Sequence, residues 1–382
     1  MFAQFKKFKG LALPFILFAT LAAGAIFAAA QDITGIPNNI RGYNLSPKPA
    51  STPPPDKSTQ PLPNPVGAPV PTPKPYKENK DKYKEKAKKQ IVNESETPAE
   101  KSIAVDSKVN ISLCVSEGKI SVNGWDRNEI RAYVNNGSQI GFKILQKSKQ
   151  NESPVWVMVL GFDPATNDEP NAEECLSGEE IELDVPRNAI VNIKGRESET
   201  TIDSVGKARV ENVSGDIFLN NIASGIEATT YEGSVTVGKS SGSMTLASNI
   251  GNIVAYEASP SEIGDVFKAK TINGMITLDK IEHRQMDVSS NSGSIKFTGE
   301  FLNGGRYNFG TSSGSILLAI PEKSSCTISA ILGYGQFNSE IPLVTENISN
   351  PGGVKSLTGV IGKGEATLNL KTYNGRLNIK KL

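Results

Sequence analysis

The chain has 382 residues, with 41 basic against 40 acidic side chains for a formal net charge of +1, and it carries 35 Gly, 23 Pro, three Cys and one His. With His283 as its single histidine, any Ser–His or Cys–His catalytic pair would have to use that residue, and no Gly-x-Ser-x-Gly stretch stands beside a strand-to-helix turn. Cys114, Cys175 and Cys326 lack metal-ligand spacing.

Residues 1–30 open with Lys6, Lys7 and Lys9, continue as an apolar run from Leu11 to Phe27, and end on Ala28-x-Ala30 before Gln31. This order predicts a secretory signal peptide, the alternative being an uncleaved anchor that spans a bilayer. Export places the protein in the periplasm, at the cell surface or outside the cell. It also removes nucleic acid from the candidate partners.

Residues 31–100 read as a linker in two parts. Ser46 to Pro75 holds 12 of the 23 prolines and is predicted to be an extended, polyproline-like spacer. Lys74 to Gln90 follows with eight lysines against three acids and reads as a solvated, partly helical stretch, with attraction to anionic lipid or wall polymer as the alternative.

Residues 101–382 show alternation with period two and no sustained helical period, so an all-β fold is expected. Over 101–200, "VNISLCVSEGKISVNGWDRNEIRAYV" predicts three strands and "GEEIELDVPRNAIVNIKG" two more, forming an amino-terminal cap and first coils. Over 201–382, Gly215, Gly233, Gly251, Gly274, Gly293, Gly314, Gly335 and Gly375 recur at spacings of 18, 18, 23, 19, 21, 21 and 40 residues. Two and four residues after each glycine the side chains are apolar, as in Val235 and Val237 or Ile295 and Phe297; Gly335 departs, with Phe337 followed by Ser339. Seven and five residues before, another apolar pair recurs, as in Met244 and Leu246. Three before stands Thr or Ser from Gly233 onward, with Leu332 the exception, and these hydroxyls are suited to stack as a ladder from coil to coil. Each unit is therefore two strands joined at a glycine corner. Units this short bury their apolar face only by stacking, which predicts a parallel β-solenoid with coils of about 18–23 residues; the alternative, an antiparallel sandwich, does not predict the same residue class at the same offset from each glycine. The gap before Gly375 reads as two turns with an inserted loop or extra coil.

The order of a Gly-Trp-Asp strand in "GKISVNGWDRNEIRAYV", a Val-Pro strand in "IELDVPRNAIVNIKG", and repeated "SGDIFL", "SGSIKF" and "SGSILL" units resembles the bacterial putative-adhesin domain. The resemblance covers about residues 101–382. It implies an exported β-solenoid of unknown function with surface attachment in its name, and brings no catalytic signature.

Among residues able to carry chemistry, His283 reads as a solvated loop histidine. Cys114 and Cys175 are candidates for a disulfide, whereas Cys326, on the inward parity of its strand, reads as a buried thiol. Asp163, Asp168, Glu169, Glu173, Glu174, Glu179 and Glu180 offer oxygen ligands for calcium but lack the Asp-x-Asp-x-Asp-Gly order, so they read as a soluble acidic loop. Outward acids such as Asp216 and Asp279 do not recur at one offset in adjacent coils, which argues against an enzyme. No catalytic, metal or cofactor residue is therefore assigned. Outward Ser294, Lys296, Ser315 and Arg376 form the candidate binding face for a glycan, wall polymer or protein. The alternative is an envelope protein that binds a protein partner through a solenoid end, with a polysaccharide-active enzyme as the third class. Membrane contact is expected only through an uncleaved signal segment.

Overall fold

The computed structural model describes residues 99–162, 175–350 and 354–382. The signal segment, residues 31–98 of the linker and the acids from Asp163 to Glu174 lie outside the described residues, whereas Ala99 and Glu100, read as linker, begin the first strand. No helix among the described residues is long and apolar enough to cross a membrane.

The fold is all-β, and its centre is two parallel ladders. The leading ladder stacks the strands before the corner glycines: β8 (Lys207–Ser214), β10 (Ile226–Glu232), β12 (Met244–Ile250), β14 (Val266–Asn273), β16 (Gln285–Ser292) and β18 (Arg306–Ser313). The trailing ladder stacks those after them: β9 (Ile217–Asn220), β11 (Val235–Gly238), β13 (Ile253–Ala258), β15 (Ile276–Ile281), β17 (Ile295–Thr298) and β19 (Ile316–Ile320). Register follows the glycine-anchored columns. Ile226 pairs with Met244, then Phe267, Met286 and Tyr307; Ile217 starts the column Val235, Ile253, Ile276, Ile295, Ile316. The inward side chains of both ladders form one continuous core. A coil contributes four of them, such as Phe267, Ala269, Ile276 and Leu278, all essentially inaccessible. Each large aliphatic or aromatic member contributes about 1.5–3 kcal/mol on burial.

Close stacking explains the glycines. The corner carbonyl of each coil points at the corner of the next, so a Cβ on Gly251, Gly274 or Gly293 would lie 1.9 Å from the oxygen of the glycine one coil earlier. The recurrent hydroxyls satisfy those same carbonyls. Thr230, Ser248, Thr271, Ser290, Thr311 and Thr372 donate to the oxygens of Gly215, Gly233, Gly251, Gly274, Gly293 and Gly314 at 2.8–3.2 Å. They bond to backbone and not to one another, unlike the hydroxyl ladder expected from the sequence, because a buried carbonyl without a donor costs about 1–3 kcal/mol.

At the amino-terminal end, β2 (Asn110–Trp125) and β7 (Ile190–Asp203) each run across both ladders. The first two strands expected between Val109 and Trp125 are thus one, turned at Gly118, whose φ is +122°. Beyond β2 the leading ladder continues with β5 (Pro154–Phe162) and antiparallel β4 (Gln139–Lys147). The trailing ladder continues with β6 (Leu176–Pro186), then antiparallel β3 (Glu129–Gly137) and β1 (Ala99–Ala104). Trp125 fixes the β2–β3 corner: its Nε1 donates to Glu129 O at 2.8 Å, and the guanidinium of Arg127 lies 4.9 Å from its ring.

The carboxy-terminal end departs from chain order. The strands β20 (Cys326–Gly333) and β21 (Gln336–Ser339) form the outermost coil. The chain then turns back through antiparallel β22 (Val344–Ser349) and β23 (Lys355–Ile361), which extend the leading ladder past β20. The last coil, β24 (Ala366–Asn374) and β25 (Arg376–Lys381), is inserted between β18/β19 and β20/β21. Gly375 therefore stacks on Gly314, and Gly335 on Gly375. The irregular Gly335 unit is irregular because it is terminal.

Candidate functional site

Between one trailing strand and the next leading strand the chain returns through connections of unequal length. Residues 221–225 and 239–243 are five long, 259–265 seven, 282–284 three and 299–305 seven. Two long returns thus flank a short one. At about 4.8 Å per coil they stand roughly 9.6 Å apart, the width of one extended chain. The result is a groove in two adjoining hollows of about 710 and 520 Å3, with Pro260, Ile263 and Leu302 on its walls and Glu282, Arg284 and Arg306 between them. Ile263 is fully exposed at the rim.

Both walls are pinned. Asp265 accepts from the backbone N–H of Ser261 and of Glu262, both at 2.8 Å, and from Ser243 Oγ at 2.8 Å. The Glu262 N–H bond foremost holds the Asp265 carboxyl at about 2. In the other wall, Leu302 N–H donates to Tyr307 Oη at 2.8 Å, and Phe301 stacks on Phe297 with ring centroids 5.1 Å apart. Arg284 donates to Asn303 O across the groove floor. A groove held in this way needs little ordering when a ligand binds, which favours affinity.

His283, in the short return, is fully buried and not solvated as the sequence reading expected. The seven-residue return swings outward and leaves space beneath it. The imidazole fills that space and reaches the earlier return, where Nε2 donates to Gly242 O at 2.8 Å. Its ring packs 5.7 Å from that of Phe267, and Nδ1 has no hydrogen-bond partner among the described residues. The role is structural. Desolvation pushes the imidazole pKa below 6.5. Because the unfolded chain then binds the extra proton more readily, stability is complete above about pH 6.5 and declines as pH falls through and below it. Urea midpoints measured across that range should drop on acidification, while His283→Gln, which keeps a neutral donor to Gly242, should flatten the dependence down to the acid range where Asp265 titrates. Equal pH slopes in the two proteins would remove His283 as the cause.

The candidate face is brought together on the trailing ladder side of the corner, but its hydroxyls serve the backbone. Ser294 Oγ accepts from Ser315 N at 3.2 Å, and Ser315 Oγ accepts from Arg376 N at 3.3 Å. The same column does this in earlier coils, with Asp216 accepting from Ser234 N at 2.7 Å and Asn252 from Met275 N at 2.8 Å. Lys296 and Arg376 remain exposed. Only the coil spacings of 23, 19 and 21 residues marked the groove in the sequence.

Cys114 and Cys175 are joined, with Cα atoms 4.6 Å apart, tying β2 to the start of β6. Cys326 is buried, and desolvation pushes its thiol up to about 11. Among the described residues no group of three His, Cys, Asp or Glu is placed to hold a metal ion. Of the acidic loop, Glu179 and Glu180 are described; both are exposed on β6, and Glu179 takes a hydrogen bond from Asn136 Nδ2 at 2.9 Å.

Among solved structures, the chain is similar to a putative cell adhesion protein from Clostridium sporogenes at 11% identity, covering 75% of this chain and 100% of that one with a TM-score of 0.18. It is also similar to a putative lipid binding protein from Parabacteroides distasonis, at 9% identity over 75% and 98% of the two chains with a TM-score of 0.35. A putative adhesin from Bacteroides fragilis matches at 11% identity over 75% and 98%, with a TM-score of 0.27. Likeness at this level carries no functional argument. The chain matches no curated protein. The model of the Toastrack DUF4097 family matches residues 100–380, nearly all of the described β-structure, and the chain belongs to that family.

Proposed function

We propose that the protein is an exported, non-catalytic binding protein whose groove between residues 259–265 and 299–305 holds an extended polymer, a glycan or wall polymer strand. In this reading residues 1–30 direct export, residues 31–100 act as a spacer, and residues 101–382 are the binding head. The observation that carries it is the pair of pinned seven-residue returns around a three-residue one, which leaves a slot between them. Its walls are apolar at Pro260, Ile263 and Leu302, and charges of both signs lie along it, the pattern of a site that grips a chain by shape and a few polar contacts. Lys296 and Arg376 are the second candidate contact.

The test is retention of the full chain on isolated sacculi and on a polysaccharide panel, with sugar release assayed alongside. The double variant Ile263→Asp, Arg306→Ala changes exposed side chains and should leave the thermal midpoint unchanged while weakening retention at least about tenfold. Undiminished retention would move the site to the Lys296 and Arg376 face, where Lys296→Glu with Arg376→Glu becomes the deciding variant. Release of sugar would overturn the non-catalytic reading.

A further inference from the structure

Each solenoid end finishes in strands with a neighbour on one side only among the described residues. The leading ladder ends in β4 at one end and β22 at the other. Bare strand edges invite pairing with another chain, and proteins usually blunt them with charge. Here the two edges carry opposite charge. The half of β4 from Lys143 to Lys147 is wholly exposed and presents Lys143 and Lys147 around Ile144 and Leu145, each 40% accessible. The β22 edge presents Glu346 between Val344 and Ile348, which are 73% and 69% accessible.

Direction and position also match. β4 runs against β5 and hence against the coils, whereas β22 runs with the coils because two antiparallel steps separate it from β20. Stacked on a common axis, β22 of one molecule meets β4 of the next as an antiparallel pair. Thr345 lies in the column of Ile328 through Gly359, and Ile144 lies in the column of Ile111 through Val157. Both columns continue the row of Ile226, so Val344–Asn347 and Lys143–Gln146 fall at the same height, with Glu346, the extra residue between Thr345 and Asn347, level with Lys143 and Ile144.

The ends are stepped in opposite senses as well. Past the outermost carboxy-terminal coil the leading ladder adds β23 and β22 while the trailing ladder stops at β21. Past β2 the trailing ladder adds three strands to the leading ladder's two. A projecting leading edge thus meets a partly recessed one.

We infer that a second copy of this chain docks head to tail, with β22 of one molecule pairing with β4 of the next. The contact uses different patches on the two partners, so it does not close on itself and builds a linear row of heads. Such a row would multiply weak polymer contacts. It does not depend on the groove reading.

Sedimentation velocity of the purified full chain over a concentration series, in a mild detergent on account of apolar residues 11–27, tests it. The wild type should associate with rising concentration. Glu346→Lys, and separately Lys143→Glu with Lys147→Glu, should each weaken association about tenfold, since rim charges of wrong sign oppose docking. An equimolar mixture of the two variants should associate again, because one variant's β22 then faces the other's β4 with charges swapped. A wild type that sediments as one species at every concentration overturns the inference and leaves the edge to a foreign strand. Association that both charge variants retain overturns it too.

Discussion

Gly274→Ala is expected to destabilise the head by about 3 kcal/mol or more, the upper range for a single added methyl group. Gly274 does not need a left-handed backbone; its difficulty is crowding. An added Cβ would sit 1.9 Å from Gly251 O and 2.6 Å from Gly251 C, and neither atom can swing aside because Thr271 Oγ1 and the flanking ladders hold that corner. The coils would have to part locally, which would loosen the ladder hydrogen bonds on both sides. Gly310→Ala supplies the contrast. That glycine lies in β18 with nothing within 4 Å of its Cβ position, so alanine should be neutral or stabilise by about 0.4–1 kcal/mol through the unfolded chain. Chemical denaturation of the two variants against wild type separates them. Equal midpoints would show that the corner is slacker than its stacked carbonyls indicate.

Removal of residues 366–382 is expected to release the whole carboxy-terminal end. In a solenoid built in chain order, deleting the last coil removes one interface. Here the last coil in sequence is second from the end in space, and it carries both ladders of the 326–339 coil. Leu368, Leu370, Leu377 and Ile379 are all buried, and their burial contributes about 6–12 kcal/mol in gross terms, comparable with the whole stability of a typical domain. Without them Cys326, Ile328 and Ala330 lose their packing neighbours. Hydrogen exchange should find residues 326–361 unprotected in the truncated chain while residues 226–298 keep their protection. Retained protection at 326–361 would mean that this end can dock directly on β18 and β19.

The same inserted coil shows where sequence reading stopped. Corner glycines, inward pairs and the Thr or Ser three residues before six of the eight glycines were legible because each follows from local chain geometry. Alternation decides which side chains face the core, and a carbonyl one coil away decides which position tolerates no Cβ. His283 was misread because nothing nearby in sequence tells that a seven-residue return elsewhere would open a space for its ring. Ser294 and Ser315 looked like an outward face and are outward; that their oxygens accept from the next coil's backbone depends on coils 21 and 61 residues further along.

By itself, the sequence determined the all-β class, the two strands per coil, their register columns and the glycine corners, since all of these rest on a side-chain period of two and on sterics within one coil and its neighbour. Tertiary structure alone decided the order of the last coils, the burial of His283 and the opposed steps of the two ends. Coils with the same inward pattern fit beside one another in any order. Which coil is the neighbour is settled by where the chain can turn back, and here the β22–β23 excursion past the end makes the last coil return inside.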